Sequence, residues 1–117
     1  MIRAIIKRQV KDRKKLPVLL RELRMKAIAF PGYLSGETII GAEDPSIVTV
    51  ISNWRSLADW KRFEVSEKRN KILKGIEPFL IGPTSIDSYE LLSTEELEYL
   101  ESPSDWLITK ERSSFDG

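Results

Sequence analysis

Apolar and polar residues alternate from the first positions of the chain. Ile2, Ala4 and Ile6 fall on one side and Arg3, Ile5, Lys7 and Gln9 on the other, which predicts a strand over Ile2–Val10 with one apolar and one mixed face. After a polar connection, Leu16, Leu19, Leu20, Leu23 and Ala27 recur at helical spacing, with Pro17 in the opening turn where its missing N–H costs little. Pro31-Gly32 ends that helix. Two further strands, Tyr33–Ile40 and 46–53, flank a Gly-Ala-Glu-Asp-Pro turn of hairpin length, and the second is apolar on both faces, so both are expected to be covered. Ser56, with Asp59 three residues on, predicts the start of a helix carrying Trp60 and Phe63, and Ser66 predicts another running towards Gly75. Its apolar side is Ile72, Leu73, Ile76 and Phe79, then Leu80; Pro78 and Gly82-Pro83 stop it, and 84–92 is the fourth expected strand.

The resulting order, β-α-β-β-α-β with the second crossover split between two helices, predicts an α+β, ferredoxin-like sheet with helices on one face. The other face is then left for a partner or a pocket. This unit spans 1–92. The remainder, 93–117, reads as a C-terminal extension, docked on the domain or on a partner subunit: Ser93-Thr94 before Glu95 and Glu96 resembles a helix start, Ser102-Pro103-Ser104 breaks it, and Trp106-Leu107-Ile108 is a short apolar patch.

At 117 residues, 41% hydrophobic and 32% charged, the chain is the size of one domain with one core. No apolar run is long enough to span a membrane, and Arg3, Lys7 and Arg8 interrupt anything resembling a signal peptide, so a cytoplasmic protein is expected. The net charge of +1 is unevenly spread: residues 1–30 hold ten Lys/Arg against two Asp/Glu, and residues 93–117 hold two against seven. The ends therefore attract each other, within a chain or across a dimer. Nucleic acid is a poor match for the basic third, because its charges interleave with an apolar helical stripe and no aromatic stacking motif accompanies them.

The chain contains no histidine and no cysteine. It thus lacks the usual zinc and haem-iron ligands and cannot build a Ser-His-Asp or Cys-His nucleophile. Neither a phosphate-cradling glycine loop nor a dinucleotide fingerprint is present. Chemistry is left to Lys, Arg, Asn, Tyr, Trp, carboxylates, or the substrate itself.

Pro31-Gly32-Tyr33, the strand ending in Asn53-Trp54 and the helix Leu-Ala-Asp-Trp-Lys-Arg-Phe that follows give the chain its resemblance to the antibiotic biosynthesis monooxygenase family over roughly residues 1–92. The resemblance implies a dimeric α+β barrel in which two ferredoxin-like sheets pack face to face, with a pocket in each subunit between helices and sheet. Haem-degrading members use an Asn on the first strand, a Trp on the helix after the third strand and a His ten residues beyond it. Here these positions are Lys7, Trp60 and Asn70, which disfavours haem. Another branch oxidises polycyclic phenols and anthrones to quinones without cofactor, the substrate supplying the electrons. Such chemistry needs a dry aromatic-lined pocket, donors for an enolate oxygen and a proton acceptor.

The candidate catalytic residues are accordingly Asn53, Trp60, Lys7 and Asn70, with Tyr33, Trp54, Ile5 and Phe63 as pocket lining. Each has a plainer use: Trp54 and Trp60 as core, Asn53 as a cap of the turn, Lys7 and Asn70 as solvated surface, Tyr33 as packing at a strand start. Their convergence is the argument, with Lys7, Asn53 and Trp60 expected to meet in one apolar cavity. Two readings follow: a homodimeric, metal-free and flavin-free monooxygenase acting on an aromatic or quinonoid molecule, or a non-catalytic dimer of the same fold that binds a small hydrophobic ligand or a partner.

Overall fold

Strand β1 (Ile2–Val10) lies inside a four-stranded sheet in the computed structural model, which describes residues 1–100. With β2 (Tyr33–Ile40), β3 (Ile47–Trp54) and β4 (Leu80–Glu90), the strand order is β2-β3-β1-β4 and every pair is antiparallel. Three helices, α1 (Leu16–Ile28), α2 (Leu57–Glu64) and α3 (Glu67–Ile76), fill the crossovers. This is the expected α+β, ferredoxin-like arrangement. Among the described residues no helix is long and apolar enough to cross a membrane.

Residue parity decides what each strand buries. Ala4, Ile6, Arg8 and Val10 of β1 and Val48, Ser52 and Trp54 of β3 are buried beneath the helices, joined by Leu16, Leu23 and Ala27 of α1, Trp60 and Phe63 of α2 and Ile76 of α3. The opposite face is not covered by α1, α2 or α3. Register places Arg3 beside Asn53, Ile5 beside Ile51 and Lys7 beside Thr49 on that open face, together with Ser35, Glu37 and Ile39 of β2 and Ile81, Ser85, Asp87 and Tyr89 of β4.

The helix starts follow the expected chemistry. Ser56 accepts from Asp59 N, and Ser66 accepts from Arg69 N, so each hydroxyl satisfies a backbone donor that the first helical turn leaves free. Two strands differ from expectation in their boundaries. β3 runs Ile47–Trp54, one residue later at each end, and β4 runs Leu80–Glu90, beginning four residues and ending two residues earlier than expected. Pro78 sits in a 3-10 turn, Glu77–Phe79, and Gly82-Pro83 lies within the strand instead of before it. The register against β1 shifts between Lys7 and Gln9, and Gly82 takes φ +70°, a conformation that favours glycine. β4 is an edge strand, so a bulge there tolerates a proline without breaking a central ladder.

At the end of the described chain, Ser93 and Glu96 cap each other reciprocally, Glu96 N donating to Ser93 Oγ at 3.2 Å and Ser93 N to Glu96 Oε1 at 3.0 Å, before a 3-10 turn over Glu96–Leu100. The expected break at Ser102-Pro103-Ser104 and the apolar patch at Trp106-Leu107-Ile108 lie outside the described residues.

Candidate functional site

The Pro31-Gly32-Tyr33 turn is shaped by α2. Gly32 has φ +91°, and a Cβ placed there would lie 2.3–2.4 Å from the Asp59 side chain, so neither its backbone angle nor its surroundings accept another residue. Asp59 is fixed in turn by the Ser56 hydroxyl, which donates to it at 3.0 Å, and by its ion pair with Arg62. The Ser56 hydrogen bond, then the charges of Arg62 and Arg55, hold the Asp59 carboxyl below its ordinary range against the opposing effect of burial. Arg55 N donates to Gly32 O at 2.8 Å, which ties the end of β3 to the same turn. The turn and α2 are thereby one unit, and α2 carries Trp60 into the core at a set depth.

Trp60 is 1% exposed and sits in an aromatic cluster with Trp54 and Phe63, its ring centroid 5.8 Å from that of Trp54. Trp54 is stacked on Phe63 and edge-on to Tyr33, and its indole N–H donates to Ser52 Oγ at 2.9 Å. The Trp60 indole nitrogen differs: it is buried and has no hydrogen-bond partner. Above the Trp60 ring lies the Arg69 guanidinium, 5.6 Å from the centroid. Arg69 is 3% exposed; its Nη1 donates to Glu64 O at 3.0 Å, while Nε and Nη2 are buried without partners. Burial pulls this guanidinium below the usual arginine range, opposed by the nearby charge of Glu64.

Trp60 and Arg69 both line a cavity between the sheet and α1, walled otherwise by Ile6, Leu20, Leu23, Tyr33, Val50 and Phe63. Its enclosed space is about 40 Å³, enough for a water or two. Leu20, Arg24 and Thr38 also line a groove of about 430 Å³ between α1 and the outer half of β2. Arg24 bridges the two elements, its Nη2 donating to Gly36 O at 2.8 Å. Gly36 is held small by Tyr33, whose hydroxyl oxygen would lie 2.6 Å from a Cβ at that position.

Of the residues expected to converge, Trp60, Trp54, Phe63 and Tyr33 are brought together. Lys7, Asn53 and Ile5 are not. They share the open face, on the far side of the sheet from Trp60, because their parity along β1 and β3 is opposite to that of Ile6 and Trp54. Lys7 is exposed; Asn53 accepts from Arg3 Nε at 3.0 Å and donates to Ser35 Oγ at 3.0 Å, a cross-strand network instead of a helix cap. Asn70 is also exposed, and on α3 its neighbour Arg69 occupies the inward position. The expected meeting of Lys7, Asn53 and Trp60 in one cavity is therefore corrected: within the chain, Trp60 meets Arg69.

Both buried arginines were missed from the sequence, although periodicity contains the signal. Arg8 continues the apolar parity of Ile2, Ala4 and Ile6, and Arg69 precedes Ile72, Leu73 and Ile76 at spacings of three, four and seven.

No family model and no curated protein matches the chain. Solved structures do share its fold. A conserved protein from Methanosarcina mazei Go1 is 22% identical, with 78% of this chain and 92% of that chain covered and a TM-score of 0.70. A structure named antibiotic biosynthesis monooxygenase is 18% identical over 80% of this chain and 100% of its own, at a TM-score of 0.68. SnoaB from Streptomyces nogalater, named a cofactor-independent oxygenase, is 7% identical over 80% and 94%, at 0.71. At these identities the likeness is one of fold, the ferredoxin-like α+β arrangement of a single chain.

Proposed function

We propose that the chain is a cofactor-independent monooxygenase acting on an aromatic or quinonoid small molecule, bound between α1 and the sheet against Trp60 and Arg69. The observation that carries this reading is three buried, unpartnered donor atoms, Trp60 Nε1 and Arg69 Nε and Nη2, beside a cavity whose other walls are mostly apolar. Donors left without acceptors inside a protein cost about 1–3 kcal/mol each, and an enolate or phenolate oxygen relieves that cost. The guanidinium favours the ionised form of an acidic phenol or anthrone, so the proton can pass to solvent. The resulting anion gives one electron to dioxygen, the radical pair combines to a peroxide anion that takes a proton back from solvent, and loss of water from the hydroperoxide leaves a carbonyl. A ring CH₂ and O₂ thus become C=O and H₂O, with no external reductant.

An aromatic ring needs more room than the enclosed cavity has; a pocket of roughly 150 Å³ admits benzene. Binding therefore requires the Arg24–Gly36 bridge to part, so that cavity and groove join. The 1–92 domain holds the site. We further propose that two such domains pair through their open faces, where Ile39, Ile81 and Tyr89 are exposed. That places Lys7 and Asn53 inside the dimer.

One observation favours the second reading, a non-catalytic ligand-binding module. Glu37 is the only acidic residue lining the cavity among the described residues, and its register puts its side chain on the open face, so no general base stands beside Trp60. The test is oxygen uptake and quinone absorbance with an anthrone, in chelator and without flavin. Turnover that falls at least tenfold in both Trp60→Phe and Arg69→Met supports oxidation. Uptake no faster than the uncatalysed background, with the anthrone nonetheless bound, refutes it and leaves the binding module.

A further inference from the structure

Arg69 also lines a pocket between α3 and β4, and there it meets Arg8. Arg8 is 2% exposed and its Nη1 is buried without a partner; among the described residues no carboxylate forms a salt bridge with either guanidinium, the Glu64 carboxylate acting on Arg69 only through its nearby charge. The pocket holds about 260 Å³. The β4 bulge lies beside it: the register skips the position opposite Arg8, residues 82–84 have no partner on β1, and Thr84 lines the pocket.

We propose that Arg8 and Arg69 form a binding site for the carboxylate of a small organic acid, whose apolar body lies against Leu73, Ile76, Leu80 and Ile86. Two like charges buried together are unfavourable unless an opposite charge joins them, and the planar forks of two arginines match the oxygens of one carboxylate. Burial, and then the neighbouring charge of Arg69, lower Arg8 from the usual arginine value to about 10, so it stays cationic at neutral pH. An anion relieves both effects. The apolar side of the pocket selects for an acid with a hydrocarbon body over a bare oxyanion, and its volume exceeds the roughly 150 Å³ that admits a benzene ring. Glu77, exposed at the rim, disfavours multiply charged anions. The two sites share Arg69, but Arg8 does not line the Trp60 cavity, so an Arg8 variant alters this site without removing a residue from that one.

The experiment is a thermal melt of the full-length protein with benzoate, with benzamide as the neutral isostere and with inorganic phosphate. Benzoate at a hundredfold excess over its Kd is expected to raise Tm by about 5 °C or more, while benzamide and phosphate at the same concentration leave it within a degree. Arg8→Met, an apolar replacement of similar length, should fold and lose the benzoate response; Arg8→Lys, which keeps charge but not the fork, should retain part of it. No response to benzoate, an equal response to benzamide or phosphate, or a full response in Arg8→Met overturns the proposal. Oxidation of an anthrone by Arg8→Met separates failure of this site from failure of the Trp60 cleft.

Discussion

Replacing Arg69 by Met tests whether a buried cation is present for a ligand or for stability. The substitution removes the hydrogen bond from Nη1 to Glu64 O, worth about 1–2 kcal/mol, and the stacking on Trp60, worth about 1 kcal/mol. It also removes two buried donors without acceptors, which cost roughly 1–3 kcal/mol each, and the repulsion between Arg69 and Arg8. Methionine keeps most of the side-chain volume. Before the relieved repulsion is counted the balance runs from a loss of about 1 kcal/mol to a gain of about 4 kcal/mol; the repulsion tips it towards a gain, up to about 16 °C in Tm. Urea unfolding followed by circular dichroism, at one fixed protein concentration, should show an equal or higher midpoint with unchanged slope. A loss of more than about 2 kcal/mol with unchanged slope would refute the reasoning, since Arg69 would then be a structural residue whose burial is already compensated.

Gly32→Ala should destabilise by about 2–4 kcal/mol, from the left-handed backbone and from displacement of Asp59, read as a lower urea midpoint; a loss below about 0.5 kcal/mol would show that the turn can relax. Asp59 titrates below its unfolded value because of Ser56, so its stabilising contribution is fully present above the ordinary carboxylate range and fades as pH falls through the lower folded pKa. Wild type and Asp59→Asn should therefore converge in stability as pH drops to about 2, and a constant gap across that range contradicts the assignment. Hemin titration should give no sharp Soret shift at low micromolar concentration, since the sequence has no histidine; tight binding followed by ring opening with a reductant would reverse the ranking of functions. Light scattering should return a dimer, whose interface on the open face is expected to bury on the order of 1,500 Å² or more; a stable 13.5 kDa monomer at micromolar concentration rules that pairing out.

Element order was legible because each element carries its own signal. Alternation over Ile2–Val10, the stripe of Leu16, Leu19, Leu20, Leu23 and Ala27, and the caps Ser56 and Ser66 all reappear in the structure. The start of β4 was obscured because Gly82-Pro83 has the composition of a turn, and only pairing with β1 reveals a bulge. The site was half legible. Trp60, Trp54, Phe63 and Tyr33 cluster as expected, since aromatic residues at a strand end and on the next helix pack on the same side of the sheet. Lys7 and Asn53 were assigned to that cluster against their parity: a residue in step with Ile5 cannot face a helix that packs on Ile6. Arg8 and Arg69 were passed over for the opposite reason. Arginine is ordinarily solvated, so its place in an apolar period reads as an interruption, and nothing local announces that both would be buried with no salt bridge among the described residues.

The most direct test of the Trp60 cleft is the indole N–H spectrum of ¹⁵N-labelled protein, recorded as an anthrone is added in the absence of oxygen. Trp54 donates to Ser52 and Trp60 has no acceptor, so the two start in different hydrogen-bonding states. The Trp60 resonance, assigned by its loss in Trp60→Phe, should move downfield as it gains an acceptor, by far more than that of Trp54. A Trp60 resonance that stays in place while the ligand binds, or one that moves no more than that of Trp54, would contradict a site built on Trp60 and Arg69.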